Sequence, residues 1–478
     1  MKNKAKTNQH TPKTKAWWSQ GGTRKAQRKE GKALREAVTY ESHAEWKPAQ
    51  DRLDPIDLLQ AQDKGRVEQL LPIKYGRMLE SPFTFFRGSA VLMAADLANT
   101  PVSGIDVVLC GDAHLSNFGV FATPERRLVF DLNDFDEVYP GPWEWDLKRL
   151  AASAVIAGRD NGFKDKDNRK LARLVARIYR EAMNRFAKES ILDVWYYHVE
   201  ADKVLSLFER YAKKSAKSTK EMLKKARTKT REATLDKLTE LVDGHRQIIN
   251  EPPLIVRLSD LLTEEQKAQI PAQHVEEAWS SYLGSLPEER RLLLSRFRIA
   301  DGALRVGGVG SVGTRCTVLL LEGIAERDAI ILQQKEVGPS VLEAYLPDRG
   351  YTNHAERVVI GQRLMQASSD IFLGWQRSAL SDRQYYWRQL KDMKGSVDVA
   401  TLDEAGLGAY LAACSLCLAR AHARTGDPAR IAGYLGKSET FDKAIGKFAV
   451  AYADQAERDY QALVEAVDSG RIIAQTGV

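Results

Sequence analysis

Apolar residues in the first third of this chain fall into two rhythms. From about Tyr40 to Arg77 they are spread among charges, with Leu58, Leu59, Val67, Leu70 and Leu71 at intervals that suit helix. Ser89–Asn99 is denser (Val91, Leu92, Ala94, Ala95, Leu97) and predicts an apolar helix. It feeds Ile105-Asp106-Val107-Val108-Leu109-Cys110, a short apolar run predicted as a buried strand. Arg127-Leu128-Val129-Phe130 predicts a second strand, and Asp146–Ala157 begins a core helix. Residues 165–250 read as charged helix, densest in Lys and Arg from Lys213 to Arg231, until Glu251-Pro252-Pro253 breaks the pattern. Leu286-Pro287-Glu288 starts another helix.

The second half changes character at Arg305-Val306-Gly307-Gly308-Val309-Gly310-Ser311-Val312-Gly313-Thr314. Two predicted strands follow, Cys316–Leu321 and Ala329–Gln334, and the second runs straight into Lys335. Asn353–Ser368 predicts a helix, Asp370–Trp375 and Gln384–Leu390 two more strands, and Leu390–Gly395 a hinge. Ala405–Thr425 and Phe441–Val467 are long amphipathic helices. The whole predicts an α+β fold.

With 478 residues the chain can bury a large core in two or three lobes. No apolar run approaches a membrane span, and the polar, Lys-rich N-terminus does not signal secretion. The four cysteines (Cys110, Cys316, Cys414, Cys417) suit a reducing compartment, so a cytoplasmic location is expected. The formal charge of +7 conceals an asymmetry: residues 1–35 hold eleven Lys or Arg against Glu30 alone, a net +10, leaving −3 for the rest. Residues 1–40 are therefore expected to be a basic, disordered tail. A nucleic-acid enzyme is not indicated, and the sequence is silent on oligomeric state.

Candidate chemistry sits in two acidic loops. Gly111-Asp112-Ala113-His114-Leu115-Ser116-Asn117 leaves the first strand with an Asp followed five residues later by an Asn. Kinase-type phosphotransferases use that spacing: the Asp takes the proton of the attacking hydroxyl and the Asn holds Mg²⁺. Asn133-Asp134-Phe135-Asp136-Glu137 follows the second strand, and Asp134 and Asp136 are both candidate metal ligands. Asp131 and Glu137 read as structural or solvent-facing. Gly308, Gly310, Ser311 and Gly313 could cradle phosphates through backbone amides, and Lys335 could hold the α- and β-phosphates. Glu343 or Glu356 could pair Lys335. Arg87 and Arg315 are possible anion contacts, a structural pairing being their more ordinary role. A metallophosphoesterase is rejected, because the eight histidines are scattered and form no Gly-Asn-His segment.

Asp134-Phe135-Asp136, Gly141-Pro142 and Asp146-Leu147, together with the GD-x-H-x-x-N loop, resemble the aminoglycoside and choline kinase-like phosphotransferases. The resemblance implies Asp112 as base, Asn117 and Asp134 as metal ligands, and Asp146 as a buttress of the catalytic loop. Cys110 stands where that family usually has His, a mainly structural position. Over nearly its whole length the chain also resembles the bacterial domain of unknown function 2252 family. Ser81–Gly88, the GDAHLSNFG and NDFDE segments, Pro142–Asp146 and Val309–Arg315 carry that resemblance.

The Gly-rich loop and Lys335 follow the catalytic loop here, the reverse of the usual kinase order. The expectation is therefore a protein-kinase-like two-lobe fold, circularly permuted, with a helical insertion. Residues 41–160 would be the catalytic-loop half of the helical lobe and 161–300 the insertion. Residues 301–396 would form the nucleotide-covering lobe, with 397–478 completing the helical one. The expected activity is ATP- and Mg²⁺-dependent phosphoryl transfer to a hydroxyl of an unidentified small molecule or protein. Nucleotidyl (AMP) transfer on the same scaffold, or nucleotide binding without catalysis, are the alternatives.

Overall fold

The computed structural model describes residues 22–228, 231–261, 272–325, 328–378, 381–390 and 393–477. It is a mixed α+β structure with several small sheets. The elements that position the site are α1 (Arg24–Ala37), α2 (Pro82–Gly88), α3 (Ala90–Leu97), β1 (Asp106–Leu109), β2 (Phe118–Ala122), β3 (Leu128–Leu132) and β4 (Tyr139–Pro142). Then come α4 (Trp143–Asp160), α5 (Asp165–Phe186), β5 (Val199–Glu200), β6 (Thr239–Val242), β7 (His245–Ile248), β8 (Ile255–Arg257), β9 (Arg298–Arg305), β10 (Cys316–Glu322) and β11 (Ala329–Val337). The last are α6 (His354–Met365), β12 (Gly374–Arg377), β13 (Gln384–Gln389), α7 (Glu404–Thr425), α8 (Pro428–Leu435) and α9 (Thr440–Asp468).

Helices α4, α5, α7 and α9 pack on one another around the largest apolar cluster. Amphipathic patterning led to the expectation that α7 would show one face to solvent. Instead Leu407, Leu411, Cys414 and Leu418 are buried on one face and Ala409, Ala413, Ala419 and Ala423 on the opposite one, since α7 lies between α5, α6 and β3. A helix that is apolar nearly all round belongs in the middle of the body. Cys414 and Cys417 are free and serve as core packing.

A six-stranded antiparallel sheet has the order β12-β13-β11-β10-β9-β8. The Gly-rich segment is the connection between β9 and β10, which pair antiparallel from Leu304–Thr317 onward. Cys316 faces Lys335 across β10–β11, and Lys335 faces Tyr386 across β11–β13. Beside the helical body, β1 pairs with β4, and β2 with β3 and β5.

Four expectations are corrected. Part of the predicted tail is helix: α1 lies on α8, where Gly31 meets the Arg430 carbonyl and Gly433 meets the Arg28 backbone so closely that a Cβ would clash. Its arginines are not merely solvated. Arg24 donates to the carbonyls of Lys188 (3.1 Å) and Glu189 (2.6 Å) just past α5, and Arg35 to that of Tyr434 (2.5 Å) at the end of α8. These are helix-end carbonyls that lack intrahelical partners, which is why cations suit them. Residues 1–21 of that tail lie outside the described residues.

Within 165–250, β6 and β7 form a hairpin rather than helix, turned by Asp243 (φ 51°) and Gly244 (φ 78°). Asp-Gly is a strong two-residue hairpin signal, and helical charge spacing around it masked the turn. The span 161–300 is also not one insertion, since α5 belongs to the central helix packing and β8 extends the six-stranded sheet. Finally, the strand expected at Asp370–Trp375 begins only at Gly374. Asp370 accepts instead from the Phe372 N–H (2.9 Å) in the loop before it.

Candidate active site

The first acidic loop hangs from one buried carboxylate. Asp146, in the first turn of α4, accepts from the Cys110 N–H (2.6 Å) and the Gly111 N–H (2.9 Å) through its two oxygens. His422 Nε2 lies 3.1 Å from Asp146 Oδ2, and the Tyr179 hydroxyl is 2.8 Å from His422 Nδ1. His422 lies in the last turn of α7. The fold makes it a brace for the carboxylate that holds the loop. Gly111 has φ 82°, and a Cβ on it would sit 2.2 Å from the Glu137 carbonyl oxygen. Gly111→Ala is therefore expected to cost at least about 1–3 kcal/mol by strain and clash. Urea denaturation measures it, and an unchanged midpoint would mean the two acidic loops do not pack this closely.

Asp112 is one-fifth exposed and accepts from Arg149 Nε through Oδ1 (2.5 Å). Arg149 is itself buried, lies over the Phe86 ring and donates to the Phe86 carbonyl (2.9 Å). Sequence reasoning missed Arg149, which is one more cation in a helix until the fold turns it inward. Burial pushes Asp112 above the ordinary carboxylate value, with Arg149 pulling against it. His114 Nδ1 accepts from the Ser116 N–H (3.2 Å), so the ring proton belongs on Nε2, which stands 3.6 Å from Asp112 Oδ2. Burial, then Arg149 and Arg87, keep His114 neutral far below its usual value. Asn117 donates Nδ2–H to the Asp112 carbonyl (2.7 Å), leaving its amide oxygen as the group with spare capacity.

The second loop carries the counter-charge of the sheet. Lys335 Nζ pairs with Asp136 Oδ2 and lies 3.8 Å from Asp134 Oδ1, while the Tyr386 hydroxyl donates to Asp136 Oδ1 (2.9 Å). Cross-strand neighbours on β11 and β13 thus hold both oxygens of Asp136. The partner of Lys335 is therefore neither Glu343 nor Glu356. Helix α6 turns Arg357 inward instead, donating to the carbonyls of Val138 (2.5 Å), Asp136 (2.9 Å) and Gly338 (3.0 Å). Glu343 balances Arg357 and His354 at 3.4 Å, and Glu356 sits in the first turn of α6 away from the cleft. A cation on that helix leaves Lys335 to the acidic loop.

Asp136, expected beside Asp134 as a metal ligand, is thus committed to Lys335 and Tyr386. Asp134 differs: its Oδ1 is buried without a hydrogen-bond partner. Burial acts to raise Asp134, but Lys335, Arg388 and Lys394 outweigh it and hold it below the usual carboxylate value. Among the described residues no three His, Cys, Asp or Glu side chains gather as a complete metal site. The Asp134 carboxylate and Asn117 amide oxygen are hard oxygen donors lining the cleft that could hold a Mg²⁺ ion. Cys110 Sγ donates to the Asp134 carbonyl (3.2 Å), tying the two loops together at the position where the resemblance expects His. Asp131 is structural, as read, and Glu137 is too: burial pushes it up to about 7 while it accepts from the Val341 N–H (2.7 Å).

A cleft of about 510 Å³ lies between these loops and the sheet. Asp112, Asn117, Asp134, Asp136 and Lys335 line it, as do Gly308, Gly310 and Ser311. Gly313 does not. It has φ 87° and turns the chain against Arg66. Arg66 donates to the carbonyls of Gly310 (3.0 Å) and Val312 (2.6 Å), and Arg77 to that of Gly307 (2.6 Å). Arg315 pairs with Glu336 at 3.2 Å, a structural role. Of the expected hinge, Leu390 and Lys394 reach the cleft and Gly395 bridges to Val120, while residues 391 and 392 lie outside the described residues.

The model of a family described as uncharacterized proteins conserved in bacteria, DUF2252, matches residues 66–466. The chain belongs to the DUF2252 family. No curated protein and no solved structure matches it. The matched span opens at Arg66, which holds the Gly-rich loop, and ends inside α9. It includes Asp112, Asn117, Asp134, Asp136, Lys335 and the Gly-rich loop, while Gln62, which also lines the cleft, lies ahead of it.

Proposed function

We propose that this protein is an ATP- and Mg²⁺-dependent phosphotransferase of kinase-like, two-lobed and circularly permuted fold, acting on a hydroxyl of its acceptor. One observation carries the reading. Lys335 and Asp136, 199 residues apart, meet across a cleft that also holds Asp112, Asn117, Asp134 and the Gly-rich loop. The sheet half follows the order that the resemblance implies: Gly-rich hairpin, Lys strand, helix α6, two strands, hinge. Residues 41–160 and 397–478 would be one lobe and 301–396 the other.

On this reading Asp112, held by Arg149, accepts the acceptor's hydroxyl proton. Lys335 and the backbone amides around Gly308–Ser311 receive the phosphates, and Asn117 and Asp134 would hold Mg²⁺. The ion would supply charge neutralisation at the phosphate oxygens. Catalysis of phosphoryl transfer rests mostly on such positioning and electrostatics, so these residues make a sufficient set. Among the described residues no helix is long and apolar enough to cross a membrane. The four free, buried cysteines suit the reducing cytoplasm, where we place the protein.

Thermal-shift titration with Mg·ATP tests the nucleotide site. At about a hundred times its dissociation constant the ligand should stabilise the wild type by roughly 2.7 kcal/mol, and Asp134→Ala should lose the Mg²⁺ dependence. A folded wild type that ignores every nucleotide would sink the reading. Product mass then separates transfer of phosphate from transfer of AMP.

A further inference from the structure

Of the cations lining the cleft, two sets act on its acidic groups. Lys335, Arg388 and Lys394 act on Asp134, at the end assigned above to the nucleotide. Arg87 belongs to the other end, where its charge, with that of Arg149, acts on Asp112 and His114. It comes from the last turn of α2, and Gly310 of the Gly-rich loop passes over its carbonyl, a Cβ there lying 3.5 Å from the Arg87 oxygen.

Arg87 lines the cleft, and its Nε is buried without a hydrogen-bond partner. Asp112, the carboxylate whose charge acts on it most, already gives Oδ1 to Arg149. Gln62, at the end of the helix Pro55–Gln62, lines the same cleft, and its Oε1 is buried and likewise unpartnered. Buried polar atoms are nearly always paired, because leaving one unmade is costly. A charged donor and a neutral acceptor left open in one cleft, the donor beside the base, describe a ligand.

The roof over this end is pinned by Arg66 and Arg77 through the Gly-rich loop carbonyls, and a cleft of about 510 Å³ is of the size that takes a small molecule. We propose that this end is the acceptor site. Its occupant is a small hydroxyl compound bearing an anionic group, carboxylate or phosphate, received by Arg87, with Gln62 accepting a hydrogen bond from a further hydroxyl or amine. The proposal rests on the phosphotransferase reading. In the reaction it implies, the acceptor oxygen forms a bond to the γ-phosphorus of ATP as its proton passes to Asp112. The bond from that phosphorus to the bridging oxygen breaks, its electron pair leaves on ADP, and Asp112 later releases the proton to solvent.

The test is thermal-shift titration of the full chain, with and without Mg·ATP, using glycerate and glycerol 3-phosphate as anionic probes. Glycerol serves as the neutral probe and choline as the cationic one. The anionic probes should stabilise the wild type where glycerol and choline do not, and their two arms tell carboxylate from phosphate. Arg87→Met should weaken them roughly 10- to 100-fold, the loss of a charge-assisted hydrogen bond, while keeping the Mg·ATP shift. Arg87→Lys, which keeps the charge without the guanidinium fork, should fall between, and Gln62→Leu gives a second variant should Arg87→Met not fold. Glycerol or choline binding as well as the anions overturns the proposal, as does a wild type that binds Mg·ATP but neither anion. Loss of the Mg·ATP shift in Arg87→Met also overturns it, making Arg87 a contact of the transferred phosphate. Anions that bind through Arg87 when Mg·ATP does not would overturn the nucleotide reading and keep the anion site.

Discussion

Asp112→Asn is expected to slow transfer by about 10²–10⁴-fold, the usual worth of a positioned general base, with Mg·ATP binding retained. The side chain keeps its shape but cannot take the hydroxyl proton. Arg149 Nε, which donates to Asp112 Oδ1 at 2.5 Å, can still donate to the amide oxygen, so the loop should hold its place. The pH profile gives a second reading. On the proposed reading Asp112 works as base only when ionised, and burial raises its pKa, so activity should fall with decreasing pH already above the ordinary carboxylate range. Arg149 favours the ionised form, so Arg149→Met should move that acid limb to higher pH. A profile that Arg149→Met leaves in place, or an Asp112→Asn variant with full activity, would remove Asp112 from the role of base.

The largest stability effect should come from a residue that touches no ligand. Arg420 on α7 pairs with Asp131 on β3, both about 1% exposed, and donates to the Met365 carbonyl (2.5 Å) at the end of α6. Asp131 also accepts from the Ala367 N–H (3.0 Å), so one ion pair joins the strand ahead of the acidic loop, the helix facing the sheet and the central helix of the body. Arg420→Leu leaves that carboxylate buried without its cation and should destabilise by about 3–5 kcal/mol in urea denaturation. Asp131→Asn in the same chain should recover much of the loss, because a neutral amide is far cheaper to bury than an unpaired charge. A loss below about 1 kcal/mol in Arg420→Leu would show that water reaches the pair.

Much of the local structure was legible in the chain. The apolar run before Gly111 read as a short buried strand, and the Gly-rich segment ahead of a strand-like run became the β9–β10 connection, β9 itself going unread. Lys335 was placed at the end of a strand because Ala329–Gln334 leads into it, and β11 carries it. The two loops with Asp112, Asn117 and Asp134 could be picked out because their spacing is local and the residue types are chemically specific. These are properties of neighbours along the backbone, which propensity and short-range geometry decide.

What the sequence could not decide was which charge meets which. The sequence offered Lys335 two partners, Glu343 and Glu356, and it was the packing of α6 that turned Arg357 inward and left Asp136 to Lys335. His422, Arg149 and Arg420 each read as an ordinary helix residue, and each became a support of the cleft through a partner at least 37 residues away. Arg35 and Arg24 read as tail charge until helix ends supplied carbonyls for them. A charge finds its partner by proximity in the folded state, where a lowered local dielectric makes a wrong pairing expensive. That proximity comes from how helices and sheet pack, so the chain by itself determined the two acidic loops and the strands leading into them, and the tertiary structure alone chose the ion pairs that join them into one site.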